Sequence, residues 1–197
     1  SARTKAYAAV NVALVERNWL LGKRIAEEEL QGENRAEYGA NVIIRLSKDL
    51  TDEYGKGFNK SNLYQFCEFY KSFPEIFHTV CGKSAILLSW SHYRTLLQVY
   101  DKKARAWYMQ EAISQTWSVR TLQRNISSQY YYRLLRSQHK DLVEKEMLEI
   151  TAPMQDTDKY EFKKNPVVAE FLGLAQNTDF TESRLEGAII TQLQKFM

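Results

Sequence analysis

The chain has 197 residues, 44% of them hydrophobic, which suits one large packed domain or a domain with part of a second and excludes wholesale disorder. Only 8 Gly and 3 Pro are present, which argues against a loop-rich all-β fold and for a mainly α chain. The formal charge of +3 hides a block at 82–140 with ten basic side chains against two acidic ones (Asp101, Glu111), about +8, between a near-neutral 1–81 and an acidic 141–197 of about −5.

In chain order, Val12, Val15, Trp19, Leu20, Ile25 and Leu30 recur at helical spacing, so a helix is predicted over 7–31, with Gly32 as its stop. A second helix is predicted over 36–54, with Val42, Ile43, Leu46, Leu50 and Tyr54 on one face. Gly55 and Gly57 make a tight turn after it. Ser61 is the expected N-cap of a third helix, which carries Leu63, Phe66, Phe69 and Tyr70 and stops at Pro74. This helix–turn–helix over 42–72 offers Asn59, Lys60, Ser61, Asn62 and Gln65 at the start of its second helix. Lys60 and Asn62 are taken as candidate nucleic-acid contacts. A Walker-type phosphate loop is excluded there, because Asn59 stands where glycine must precede Lys-Ser and no strand leads in.

Ser89 or Ser91 can cap a helix through Tyr93, Leu96 and Leu97. Asp101 can cap another through Ala104, Trp107, Tyr108 and Ala112. Ser118 is the N-cap of a predicted long helix through Leu122, Ile126, Tyr130, Leu134 and Leu135. The helix–turn–helix over 103–136 is the stronger of the two, because it coincides with the basic block. Arg120 and Arg124, four residues apart, share a face about 6 Å from one another and opposite the apolar one. With Thr121, Gln123, Lys102, Lys103, Arg105, Arg133 and Arg136 they form the candidate nucleic-acid surface, since guanidinium groups suit phosphates and guanine edges alike. Part of the Tyr130-Tyr131-Tyr132 run could stack on unpaired bases. His92 is read as a hydrogen-bonded structural residue rather than a catalytic one, because no GxSxG-type signature accompanies it.

Residues 151–165 are polar, aperiodic and punctuated by Pro153, and read as a linker between a helical domain at 1–150 and the start of a second domain at 166–197. Thr181 caps a last predicted helix (Leu185, Ile189, Ile190, Leu193, Phe196) that has no partner for its apolar face. The chain opens on Ser1 rather than Met and stops in mid-pattern, so a segment of a longer product is expected. Cys67 and Cys81 form no CxxC pair and point to a reducing, cytoplasmic setting. With His78 they match no common zinc spacing, so no metal site is expected and buried thiols are. There is no apolar run long enough for a membrane span, and no membrane partner is expected.

Five stretches together resemble the YhcG family of bacterial nucleases: Leu50 to Leu63, Leu88 to Tyr93, Trp117 to Arg124, Glu170 to Leu174 and Thr181 to Gln194. The resemblance implies an N-terminal helical, winged-helix-like DNA-binding region followed by a PD-(D/E)xK nuclease domain. In such nucleases an Asp and a Glu-x-Lys hold Mg²⁺ for phosphodiester hydrolysis. Glu186 resembles the helical Glu that often assists, and is the candidate catalytic residue. The strands bearing Asp and Glu-x-Lys are expected beyond Met197, so no cofactor is expected in this chain and activity is expected only of a longer parent. The expected partner is therefore DNA. The alternative is a helical protein-interaction or homo-oligomerisation module, in which the acidic block of one copy pairs with the basic block of another.

Overall fold

The computed structural model describes residues 2–31, 35–54, 56–76 and 88–155, and the described residues group into two compact units, 2–76 and 88–155. All regular structure among them is helical, as the composition predicts: α1 (Ala2–Gln31), α2 (Arg35–Tyr54), α3 (Lys60–Ser72), α4 (Trp90–Leu96), α5 (Lys102–Ser114), α6 (Val119–Ser127), α7 (Tyr130–Arg136) and α8 (Lys140–Gln155). No strand occurs among the described residues, so they contain helix pairs but no strand-built wing. Gly32, Gly55, His78, Cys81, the stretch after Gln155 and, within it, Glu186 and the last helix expected from the sequence lie outside them.

In the first unit α1 packs chiefly on α3. Val10, Leu14, Val15, Trp19 and Ile25 of α1 meet a core with Ile43 of α2 and Leu63, Phe66, Cys67 and Phe69 of α3. Gly22 makes the crossing possible. A Cβ there would sit 1.9 Å from the carbonyl oxygen of Phe66, so the two backbones touch where a side chain would stand. The indole Nε1 of Trp19 donates to the carbonyl of Phe73 at 3.0 Å, and its ring meets Tyr70 edge-on at 5.1 Å, tying the end of α3 to the middle of α1. Beside it, Arg17 lies over the ring of Phe58 and donates twice to the Oδ1 of buried Asn18. Burial brings the Arg17 guanidinium down to about 10.

Local expectations change here: Leu20, set on the apolar spacing of α1, is exposed. Asn59, not Ser61, is the N-cap of α3; its Oδ1 accepts from the Asn62 amide at 2.9 Å, and Ser61 is an exposed first-turn residue. Tyr54 leaves the apolar face assigned to it: it is exposed, touching Phe58 edge-on at the turn.

In the second unit α4, α5, α6, α7 and α8 form a small bundle around Trp90, Tyr93, Leu96, Tyr108, Ala112, Trp117, Leu122, Tyr130 and Met147. The helix predicted to run unbroken from Ser118 is two helices. Ser128 ends α6, and Gln129, at φ 54°, turns the chain into α7. At the other end α8 continues to Gln155 with Pro153 inside it, so the first five residues of the expected linker are helical. Thr151 lies within that extension, buried one turn after Met147 with its hydroxyl on the Met147 carbonyl at 2.7 Å.

Gly22→Ala is expected to lower the stability of the first unit by about 1–3 kcal/mol, because the clash is with backbone that cannot swing aside. A urea melt reads this directly, and a midpoint equal to wild type or higher would contradict the close crossing.

Candidate nucleic-acid interface

The geometry of the basic block starts with how α6 is held. Its N-cap, Ser118, is buried and accepts from the Thr121 amide at 3.0 Å. The residue before it, Trp117, presents its carbonyl to His92 Nε2 at 2.9 Å. A carbonyl only accepts, so Nε2 carries the proton. Nδ1 is then an acceptor, and it receives the Ser89 hydroxyl at 2.7 Å and the Ser89 amide at 3.3 Å. His92 thus joins the start of α4 to the start of α6, in agreement with its reading as a structural residue.

The turn from α5 into α6 is equally fixed. The amides of Thr116 and Trp117 bond back to the carbonyls of Ile113 and Ala112 at 3.4 and 3.0 Å, the paired bonds of a Schellman motif. Thr116 takes the left-handed position at φ 49°, where a β-branched residue is strained. Buried Ala112 lies at this junction.

The far end of α6 is held by one hydroxyl. Buried Tyr108 of α5 donates to the Asn125 carbonyl at 3.2 Å and accepts from the Tyr131 amide at 3.1 Å. In a continuous helix these groups would have bonded to the Gln129 amide and the Ser127 carbonyl. The Tyr108 phenol therefore replaces bonds that the break removes. Burial raises its proton affinity. The hydroxyls of Ser127 and Ser128 also bond back, to the carbonyls of Gln123 and Asn125 at 2.8 and 3.1 Å, which favours leaving the helix here.

With α6 held at both ends, Leu122 and Asn125 face inward and Arg120, Gln123, Arg124 and Ser127 face outward. The spacing of these four, i, i+3, i+4 and i+7, makes one polar, cationic strip. Arg120, Gln123 and Arg124 are thus brought together at the surface. Thr121 is not among them: it is fully buried, with its hydroxyl 3.0 Å from that of Ser118.

The other candidates divide in the same way. Lys102 and Lys103 are exposed in the first turn of α5, and Arg136 is exposed at the end of α7. Arg105 instead donates to the carbonyls of Val99 and Tyr100, and Arg133 pairs with Glu146 and reaches Met147, fastening α7 to α8. In the first unit Lys60 is exposed, while the Asn62 amide group donates to the Gly57 carbonyl at 2.9 Å and closes the turn, in which Gly57 has φ 120°. The tyrosine run is only partly interior. Tyr130 is buried, and its phenol is pushed up to about 12, first by burial. Tyr131 packs against Trp107, and Tyr132 donates to Asp101 at 3.1 Å. The most exposed aromatic among the described residues is Tyr100, which has no role in the pattern read from the sequence.

A family model described as the DUF1016 N-terminal domain matches residues 1–133. The chain belongs to this family. The matched span holds α1 to α6 and the first half of α7, and so contains the whole α6 strip. The chain is also 36% identical over 225 aligned positions to the Escherichia coli (strain K12) protein named Putative nuclease YhcG, which agrees with the resemblance read from the sequence. The alignment takes in all of this chain and 58% of that relative, so this chain spans little more than half its length. No solved structure matches.

Among the described residues of this DUF1016 chain, no three His, Cys, Asp or Glu side chains are grouped to hold a metal ion. Nor is any described helix long and apolar enough to cross a membrane.

Tyr108→Phe should destabilise the second unit by about 1–3 kcal/mol, because it removes a partner from the Tyr131 amide and one of two donors from the Asn125 carbonyl. The sharper readout is amide exchange, which should accelerate at Tyr131. Thr116→Gly should act oppositely, raising stability by about 0.5–1 kcal/mol by relieving the left-handed strain. A thermal melt that moves downward would contradict that strain.

Proposed function

We propose that residues 88–155 are a DNA-binding unit of a nuclease-family protein, with α6 as the helix laid against the duplex in the manner of a helix–turn–helix. The observation that carries this reading is the strip of Arg120, Gln123, Arg124 and Ser127 on a helix whose opposite face is buried and whose two ends are fastened. Arginines take phosphates bidentately or read guanine edges, and Gln123 can pair with an adenine edge. Rigid support matters, because a recognition element gains specificity only if its side chains arrive in fixed register. The exposed Lys102, Lys103 and Arg136 add to the positive field that draws in a polyanion.

The relative's name supplies the chemistry that such binding would serve. In this reading the unit holds DNA for Mg²⁺-dependent phosphodiester hydrolysis by a PD-(D/E)xK domain carried by the longer parent, with Glu186 as the assisting carboxylate. Its setting is the cytoplasm. A second reading has one observation in its favour. The acid-rich α8 exposes Leu142 and Leu148, so it could seat a second copy of the chain, its carboxylates facing that copy's basic block. Sedimentation at low and high salt distinguishes the two, because a stable oligomer without DNA affinity supports only the second.

Arg120→Ala combined with Arg124→Ala should weaken duplex binding in a gel-shift titration and flatten the slope of log K against log salt by about 1.8, two phosphates' worth. The melting temperature should stay within a few degrees, since both side chains are exposed. Unchanged affinity and slope would remove α6 from the interface.

A further inference from the structure

We infer that Tyr100 is a base-stacking side chain and that the second unit engages DNA where a single strand is exposed. This inference rests on the reading of that unit as a DNA binder and names the form of DNA that it would hold. Tyr100 is 94% exposed, the most open large apolar side chain among the described residues. It is not on a loose loop. Three of the four residues between Leu96 and Asp101 bond back into α4, with the amides of Leu97, Gln98 and Val99 on the carbonyls of Tyr93, Thr95 and Leu96. Arg105 clamps the carbonyls of Val99 and Tyr100 from the other side, at 2.9 and 3.5 Å. The next residue, Asp101, is fixed in turn: its carboxylate accepts the amides of Lys103 and Ala104 and the hydroxyl of Tyr132. Those amides hold the Asp101 carboxyl below the usual aspartate range.

The result is a large aromatic ring carried into solvent by a backbone braced on both sides. Folding does not account for this arrangement, because the ring buries almost nothing. Its surroundings identify a ligand. Lys102 and Lys103 follow within three residues and are exposed. Tyr132 brings α7 to the same turn, and Arg136 stands one helical turn further along α7, also exposed. The one carboxylate at this turn, Asp101, is engaged in capping α5 and holding Tyr132. An aromatic platform with cations beside it fits a single strand, whose phosphates take the cations and whose unpaired bases offer a π-face. Paired bases inside a duplex are already stacked on each other and offer the ring no such face, so the preference should be for single-stranded DNA or for a gap in a duplex. The tyrosine run at 130–132 does not compete for this role, because its rings are packed against Trp107, Tyr108 and each other.

The test uses the full chain and fluorescence anisotropy, with a labelled single strand of about 20 nucleotides and a blunt duplex of the same sequence. Tyr100→Ala should lose about 5- to 100-fold in affinity for the single strand and less than about twofold for the duplex, with an unchanged salt slope, because no charge is removed. Tyr100→Trp should retain single-strand binding. Lys102→Gln combined with Lys103→Gln should instead flatten the single-strand salt slope by about 1.4. If Tyr100→Ala binds the single strand like wild type while the Arg120 and Arg124 variant loses affinity, the stacking role is overturned and the DNA reading stands. Equal losses on both substrates overturn the single-strand preference. Wild type that binds neither substrate overturns the DNA reading and this inference with it.

Discussion

The second unit depends on what the Tyr108 hydroxyl does at the break between α6 and α7. Interrupting a helix strands an amide on one side and a carbonyl on the other, and each is costly when buried. Tyr108 answers both with one atom, since a phenol can donate and accept together. The break thus becomes a stable corner. Because the tyrosine belongs to α5, the corner also fixes α6 and α7 against the helix that precedes them. The direction of α6 follows from that corner and from the His92 bridge at its other end.

The two units solve their packing differently. In the first, apolar contact dominates, and the determining event is a deletion of volume: Gly22 lets α1 and α3 meet backbone to backbone, with Trp19 holding the end of α3. In the second, short helices of seven to sixteen residues cannot bury much individually, and hydrogen bonds at their ends carry the geometry. Asp101, Ser118, His92 and Tyr108 each satisfy backbone groups at a helix end or turn. A unit held through its corners leaves the helix sides open for other use, and the outward strip of α6 is such a side.

Most of the helices were legible, because apolar residues at period 3.6 are a direct record of a buried face. The break at Gln129 was not. Leu122, Ile126, Tyr130 and Leu134 keep helical spacing straight across it, and the left-handed residue is a glutamine, which carries no glycine signal. Only the Ser127-Ser128 pair hinted at it. The α6 strip was readable, since Arg120 and Arg124 must share a face once the helix is granted. The candidates that hold structural bonds have something in common. Arg105, Arg133 and Asn62 looked like ligand contacts by residue type, but their donors are engaged with carbonyls or a carboxylate of the same unit, and Thr121 is consumed in the cap. Tyr100 was invisible for the opposite reason. A lone aromatic between two short helices has no period, and only coordinates tell an exposed ring from a buried one.

The corner at Gln129 also sets a length. From Arg120 to Ser127 the axis of α6 advances about 10 Å, at 1.5 Å per residue. Beyond it α7 leads off on a new course, and its Arg133 is turned to α8 instead of extending the strip. Successive base pairs are about 3.4 Å apart along a strand, so the strip can lie along about three of them. A helix that ran on unbroken would have carried its outward face further along the groove. In stopping it, the unit exchanges reach for rigidity, and under the proposed DNA reading any longer footprint has to come from surfaces other than α6.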